Sequence, residues 1–235
     1  MTLEFTITKK LADFTLDLSC ACGPGTSLAI VGPSGAGKTT IIRILAGLER
    51  PDAGKITLNG VSWVDTEEKI FLPPRKRNLG YVFQEYSLFP HLTVEGNVAY
   101  AAGNPQNVRR FLLCFNIWHL RERKPKHLSG GERQRVAFAQ ALAREPGVLL
   151  LDEPFSALDV ETRENLREVL QQINRESGVP VIHVTHNLED ALNHADQVVP
   201  VERGRISATW LPRMQGGRPE IRDSRVGYAA WPLKT

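Results

Sequence analysis

The stretch Leu28-Ala29-Ile30-Val31-Gly32-Pro33-Ser34-Gly35-Ala36-Gly37-Lys38-Thr39 decides the fold. Four apolar residues enter a glycine-rich turn, and the turn opens into Thr40-Ile41-Ile42-Arg43-Ile44-Leu45-Ala46-Gly47, whose apolar spacing predicts a helix packed on a sheet. Strand, loop and helix in that order are the setting of a phosphate-binding loop. Gly32, Gly35 and Gly37 let the backbone curl so that successive N–H groups point inward, and the helix adds its positive N-terminal end to the same anion site. Lys38 is expected to reach the β- and γ-phosphates, and Thr39 to ligate Mg²⁺ through its hydroxyl. A turn that merely precedes a helix would not need these residues in this order, so the chain is expected to bind a nucleoside triphosphate.

The 235 residues, 42% hydrophobic and 23% charged, suit one large globular domain with or without a small appendage. A net charge of +3 is too small to argue for nucleic acid, and no dense Lys/Arg block is interleaved with aromatics. No apolar run approaches the roughly 20 residues of a membrane span, and the N-terminus lacks a signal-peptide core, so a cytoplasmic location is expected. Cys20, Cys22 and Cys114 do not make a disulfide framework, and Cys20 and Cys22, with no second pair or nearby His to complete a zinc site, are assigned to packing.

Residues 3–20 alternate in the manner of an antiparallel hairpin turning at Ala12-Asp13. A short strand is predicted over Lys55–Gly60, an irregular stretch over 61–78, and a solvated basic face at Arg75, Lys76 and Arg77. The strand Leu79–Phe83 ends at Gln84, which is thereby placed to touch a metal or an attacking water. Residues 95–125 are predicted to hold two or three helices with Val108, Leu112, Phe115 and Leu120 in the core. Ser129-Gly130-Gly131-Glu132 opens an amphipathic helix with the spacing of a capping box. Two glycines in its first turn are poor helix formers; their value is close backbone approach, which makes this end a second anion site. The buried run Val148–Leu151 ends in Asp152-Glu153. Asp152 can hold Mg²⁺ directly or through water, and Glu153 can accept a proton from a water attacking the γ-phosphate. A helix is predicted over 160–174, and a strand from Pro180 that ends at His186, with His183 packed mid-strand. A last strand, Gln197–Glu202, completes a strand–helix alternation that predicts an α/β fold with a mostly parallel sheet.

These elements, in this order, resemble the ATP-binding subunit of ABC transporters. The resemblance rests on Gly32 to Thr39, Gln84, Leu128 to Glu132, Leu149 to Glu153, Ser156 to Asp159 and His186, and it runs from residue 3 to about 205. It implies a P-loop ABC-type nucleotide-binding domain over 1–205 with an antiparallel β subdomain and a helical subdomain at about 88–143; the regular pattern fades from Ile206, so 206–235 is expected to be a tail with no β-barrel regulatory domain. It further implies a head-to-tail homodimer that hydrolyses ATP with Mg²⁺. Gly32, Pro33, Ser34, Gly35, Ala36, Gly37, Lys38, Thr39 and Thr40 of one subunit would hold the nucleotide, and Ser129, Gly130 and Gly131 of the other would complete the site. Thr39, Gln84 and Asp152 would hold the metal, Glu153 would polarise the water, His186 would contact the γ-phosphate and Gln84 would report its presence. The family usually stacks adenine on an aromatic of the first hairpin; here the aligned position lies near Leu11, with Phe14 the nearest ring.

Within the superfamily, Tyr86–Val94 after Gln84 resembles binding-protein-dependent importers, and Ile70-Phe71-Leu72-Pro73-Pro74 with Gly80–Gln84 is most similar to molybdate importer subunits. The implied partners are an integral membrane permease on the region of Tyr86–Val94 and, indirectly, a periplasmic or extracellular solute-binding protein, with the subunit peripheral on the cytoplasmic face of the inner membrane. Sulfate, thiamine and iron importers share much of the surrounding pattern. The rival classes are an exporter subunit and a soluble ABC ATPase acting on nucleic acid or ribosomes; only a short helical stretch separates Gln84 from Ser129, where the soluble class carries a long coiled coil, zinc modules or a second ATPase domain.

Overall fold

The computed structural model describes residues 1–85, 87–156 and 158–207, and of His194 the backbone alone. Tyr86, Ala157 and nearly all of the expected tail at 206–235 therefore lie outside the described residues.

Six strands form the central sheet in the order β11-β10-β3-β9-β8-β7. They are β3 (Ser27–Val31), β7 (Gly80–Val82), β8 (Leu149–Asp152), β9 (Val181–Thr185), β10 (Gln197–Glu202) and β11 (Arg205–Ile206). All pair in parallel except β11, which turns back antiparallel on β10 and so extends regular structure to Ile206, where the sequence pattern suggested it fades. The continuous apolar runs of β3, β8 and β9 follow from cover on both faces. Leu28, Ile30, Leu150, Ile182 and Val184 face one core, shared with helix α1 (Lys38–Ala46). Leu149, Leu151 and Val181 face a second core under helices α4 (Gly130–Ala143) and α5 (Val160–Ser177), and Ala29 and Val31 face a small third one under α6 (Leu188–His194). Helix α1 fully buries Ile41, Ile42, Ile44 and Leu45, each contributing about 2 kcal/mol of transfer energy.

The hairpin of β1 (Leu3–Lys10) and β2 (Thr15–Cys22) belongs to a five-stranded antiparallel sheet in the order β2-β1-β4-β5-β6. On β2, Leu16, Leu18, Cys20 and Cys22 alternate into the core, and burial pushes the Cys20 thiol up to about 12 and that of Cys22 to about 11. Both are free and packed. The stretch 61–78 is not irregular: β4 (Ala53–Leu58) is followed by β5 (Val61–Asp65) and β6 (Ile70–Phe71). These strands are too short for their alternation to stand out, and the pairing of β5 with β4 and of β6 with β5 specifies them.

The basic face expected at 75–77 is also corrected. Arg75 and Lys76 are exposed, but Arg77 is fully buried. Its Nη1 donates to the carbonyls of Ile44 and Leu45, 2.9 and 2.6 Å away, and its Nε to that of Leu72 at 2.8 Å. The first two are carbonyls in the last turn of α1, which carries partial negative charge. Gly47, in the left-handed conformation at φ 78°, leaves room for the guanidinium: a Cβ there would sit 2.7 Å from it. Burial lowers the Arg77 pKa to about 10, so it stays charged at neutral pH.

Between β7 and β8 run α2 (Val94–Ala101), α3 (Pro105–Cys114), two single 3₁₀ turns at 118–120 and 125–127, and α4. Val108, Leu112, Phe115 and Leu120 are all buried there, as their spacing predicts. Helix α5 runs to Ser177, three residues beyond the expected end, and stops at left-handed Gly178. Helix α6 was not anticipated; at seven residues it is too short for a clear apolar period, and Asn187 caps it.

Candidate functional site

Lys38 and Thr39 open α1 directly behind left-handed Gly35 and Gly37, at φ 78° and 97°. The loop bends as its glycines require. Lys38 is only 7% exposed; its ammonium folds onto the loop and donates to the carbonyls of Gly32 (2.8 Å) and Pro33 (3.0 Å). Burial lowers its pKa, while Glu153 and Asp152 act in the opposite direction. Gly32 backs the loop against β10, where a Cβ would lie 2.0 Å from the Val201 carbonyl oxygen. Ala36 accepts from the Gly204 N–H at 3.1 Å, so the β10–β11 turn braces the loop from the other side.

The predicted residues sort into three groups. Ser34, Gly35, Gly37, Lys38, Thr39, Thr40, Gln84, Glu153 and His186 line one open cleft together with Leu11 to Phe14 of the first hairpin. Gly32, Pro33 and Ala36 form its back wall rather than its lining, and Asp152 lies buried beneath. Ser129, Gly130 and Gly131 are not part of that cleft. Ser129 caps α4 with the anticipated capping box: Glu132 N–H donates to its hydroxyl at 3.2 Å, and its own N–H donates to the Glu132 carboxylate. A Cβ on Gly130 would meet nothing within 4 Å, so nothing in this chain's described residues accounts for a glycine there.

Sheet order assembles the acidic part of the site. Strands β8 and β9 are neighbours, with Asp152 opposite Val184, so the ends that carry Glu153 and His186 project together. Glu153 sits in the left-handed region at φ 49°, a conformation costly for a residue with a Cβ and concentrated at functional sites. Its Oε1 lies 2.9 Å from His186 Nδ1. With the carboxylate ionised, Nδ1 must carry the proton and donate, which leaves Nε2 as the free nitrogen. Burial, and then the neighbouring Glu153 charge, holds the Asp152 carboxyl above the ordinary range; Tyr81, Lys38 and Thr39 pull the other way. Tyr81 donates to Asp152 Oδ2 at 3.4 Å, whereas the buried Oδ1 has no hydrogen-bond partner. An orphaned carboxylate oxygen beside the Thr39 hydroxyl suits a hard divalent cation, whose remaining ligands would come from phosphate and water. Among the described residues no cluster of three His, Cys, Asp or Glu side chains could hold a metal alone.

Two contributors were invisible in the sequence. Tyr81 reads as one more apolar strand residue until β7 pairs with β8. Asn97 reads as a polar interruption of α2, yet it is fully buried and its side chain holds the segment before the helix, accepting from Phe89 N–H at 2.7 Å and donating to the carbonyls of Phe89 and Thr93.

The sequence model of the ABC transporter family matches residues 15–156. The molybdenum import ATP-binding protein ModC of Methylococcus capsulatus is 47% identical over 201 residues, 83% of this chain and 56% of that protein. The sulfate/thiosulfate import ATP-binding protein CysA 2 of Chromobacterium violaceum is 47% identical over 216 residues, 88% of this chain and 57% of its own length. The chain thus spans little more than half the length of these curated relatives. The dimeric structure of a post-hydrolysis state of the ATP-binding cassette MJ0796, bound to ADP and Pi, matches with a TM-score of 0.73 at 28% identity, over 88% of this chain and 97% of that one. The fold is that of an ABC ATPase cassette, and the chain belongs to the ABC transporter family.

Proposed function

We propose that this chain is the ATP-hydrolysing subunit of a binding-protein-dependent ABC importer whose solute is molybdate. The observation that carries the hydrolytic reading is the Glu153–His186 pair, 2.9 Å apart, in the same cleft as Lys38 and Thr39. Backbone N–H groups of residues 34–40 and the Lys38 ammonium bind the phosphates, and Leu11 to Phe14 border the adenine. Thr39 and Asp152, with Gln84 at the cleft wall, would hold Mg²⁺, which supplies charge neutralisation on the phosphates when bound. Glu153 orients the attacking water and accepts its proton. His186 holds that carboxylate in place; its contact with the γ-phosphate requires a protonated Nε2 as donor.

The ATPase domain in this reading is 1–205, with 88–143 as its helical subdomain. Two copies associate head to tail, so that Ser129, Gly130 and Gly131 meet the γ-phosphate held by the partner. Support comes from the open space over Gly130 and from the dimeric relative bound to ADP and Pi. The permease docks on the groove between the sheet and the helical region, where Phe83 and Tyr100 are exposed and Ser87 and Phe89 line the wall. In this reading the subunit is peripheral on the cytoplasmic face of the inner membrane; no helix among the described residues is long and apolar enough to cross a membrane.

Molybdate is favoured by the stretch 70–84 and by the ModC relative, although the CysA 2 relative is equally identical. The test is reconstitution with the native permease and binding protein, followed by ATPase measurement with molybdate, sulfate and thiamine. Stimulation by molybdate alone is expected. Stimulation by another solute overturns the molybdate assignment and leaves the ATPase, and absence of any ATP turnover overturns both.

A further inference from the structure

The loop after Glu153 and the helix after His186 are joined by a side chain that neither motif contains. Arg163, in the first turn of α5, donates from Nη1 to Asp190 Oδ1 at 3.0 Å and from Nη2 to the Leu158 carbonyl at 3.1 Å. Leu158 belongs to the loop leaving Glu153, and Asp190 lies in the first turn of α6, four residues after His186. The Asp190 N–H is itself held by Asn187, the cap of that helix, at 3.2 Å.

We propose that Arg163 is a positioning residue for the hydrolytic pair: its guanidinium clamps Leu158, on the segment leaving Glu153, to the start of α6 and so holds Glu153 and His186 in register. This rests on the reading of that pair as hydrolytic. The contacts form a closed circuit. Glu153 is joined to His186 directly at 2.9 Å, and the same two residues are joined again through the chain that leads to Leu158, the Arg163 fork, and Asn187 with the first three residues of α6. The backbone ladder between β8 and β9 holds the Glu153 N–H to the Val184 carbonyl at 3.0 Å, and the fork adds a tie beyond the strand ends, on the side where His186 sits.

An exposed ion pair would not support such a role, because its strength is screened. Here the Asp190 side chain is 9% exposed, and the planar fork engages two acceptors on different elements, a geometry a lysine cannot reproduce. The arrangement also makes the pair sensitive to whatever moves the loop. A displacement at Leu158 is transmitted to α6, and hence to His186, through one rigid group.

The test is a cycle of Arg163→Ala, Asp190→Ala and the double variant in the full chain, with Arg163→Lys as the conservative change. Turnover of ATP is expected to fall about 10- to 100-fold in each single variant, the scale expected when reacting groups are misplaced by about an ångström. Affinity for ATP should stay within about twofold, since the fork touches no loop residue from 32 to 40. The double variant should be no worse than either single one, because both remove the same link. Arg163→Lys should not restore turnover. Unchanged turnover in Arg163→Ala overturns the proposal, as does a parallel loss of turnover, ATP affinity and thermal midpoint, which would mark a purely structural residue.

The link is also read without turnover, through the His186 Nδ1 resonance in nucleotide-free, ¹⁵N-histidine-labelled protein, assigned with His186→Gln. Arg163→Ala should shift or broaden it; an unaltered signal overturns the proposal. If the parent chain hydrolyses no ATP, the hydrolytic reading fails on that measurement while the link is judged on the resonance.

Discussion

Glu153 and His186 leave adjacent parallel strands and meet 2.9 Å apart, carboxylate oxygen to imidazole Nδ1, 33 residues away from each other in the chain. The contact gives the imidazole a defined tautomer. It also gives the carboxylate a fixed direction over the phosphate loop, where a water between Lys38 and the carboxylate would be polarised.

Replacing Glu153 with Gln keeps the shape and removes the proton acceptor. ATP turnover should fall by about 100-fold or more, with ATP affinity retained. Sizing by light scattering at saturating ATP should then show a dimer that the parent protein populates only transiently. A monomer under those conditions would count against the head-to-tail arrangement.

Lys38→Ala removes the one buried cation of the phosphate loop. ATP affinity is expected to fall about 10- to 100-fold, as for loss of charge-assisted hydrogen bonds, by isothermal titration. Circular dichroism should be unchanged, because the lysine's present partners are only loop carbonyls.

Asp152 predicts a dependence on pH whose sign follows from its raised pKa. The folded state binds that proton more tightly than the unfolded chain does, so the ionised carboxylate costs stability above the folded pKa and costs nothing below the unfolded one. Asp152→Asn should therefore stabilise the nucleotide-free protein at neutral pH, by about 1 kcal/mol. The gain should vanish as pH falls through and below the ordinary carboxylate range. The same variant should lose its response to Mg²⁺. Urea unfolding at several pH values reads the first effect and Mg²⁺-titrated ATPase the second.

Arg77→Ala removes a guanidinium donor from three carbonyls inside the protein, of which Ile44 keeps the Gly47 N–H, and leaves a cavity beside Trp63 and Phe71. A loss of about 3 kcal/mol is expected in urea unfolding. Arg77→Lys should recover less than half of it, because one ammonium cannot bond Leu72 and the α1 terminus in the same fork.

Asn97→Ala should separate basal from coupled activity. Its amide holds Phe89 and Thr93 and lies on α2, whereas the nucleotide cleft lies at the strand ends. Stability should drop by about 2 kcal/mol. ATP turnover of the isolated subunit should survive while stimulation by the permease falls. Equal loss of both would argue against docking near residue 89.

The phosphate loop, the acidic end of β8 and the capping box of α4 were legible because each is local. Glycines at fixed offsets, a run of apolar residues ending in carboxylates, and Ser129 three residues before Glu132 carry their geometry within one element. Arg77 is not legible in the sequence, for the opposite reason. In the sequence it is one of three consecutive basic residues, and only the packing of β6 and α1 around it turns a surface charge into a buried cap. Strands β5 and β6 are hidden in the sequence because their regularity comes from a partner strand rather than from their own alternation. Tyr81, Asn97, Arg163 and Asp190 carry no motif, and each acquires its role from a partner between 4 and 71 residues away.

The sequence by itself determined that a strand, a phosphate loop and a helix follow one another, that a second strand ends in two carboxylates and a third in histidine, and that the family is ABC. Those facts depend on residue type and short spacing, which the covalent chain holds. The tertiary structure alone decided that β9 lies between β3 and β8, so that Lys38, Glu153 and His186 share one cleft while Ser129 to Gly131 lie outside its lining. That order is set by which apolar faces can be covered on both sides at once, a condition on the whole packed sheet that no single stretch contains.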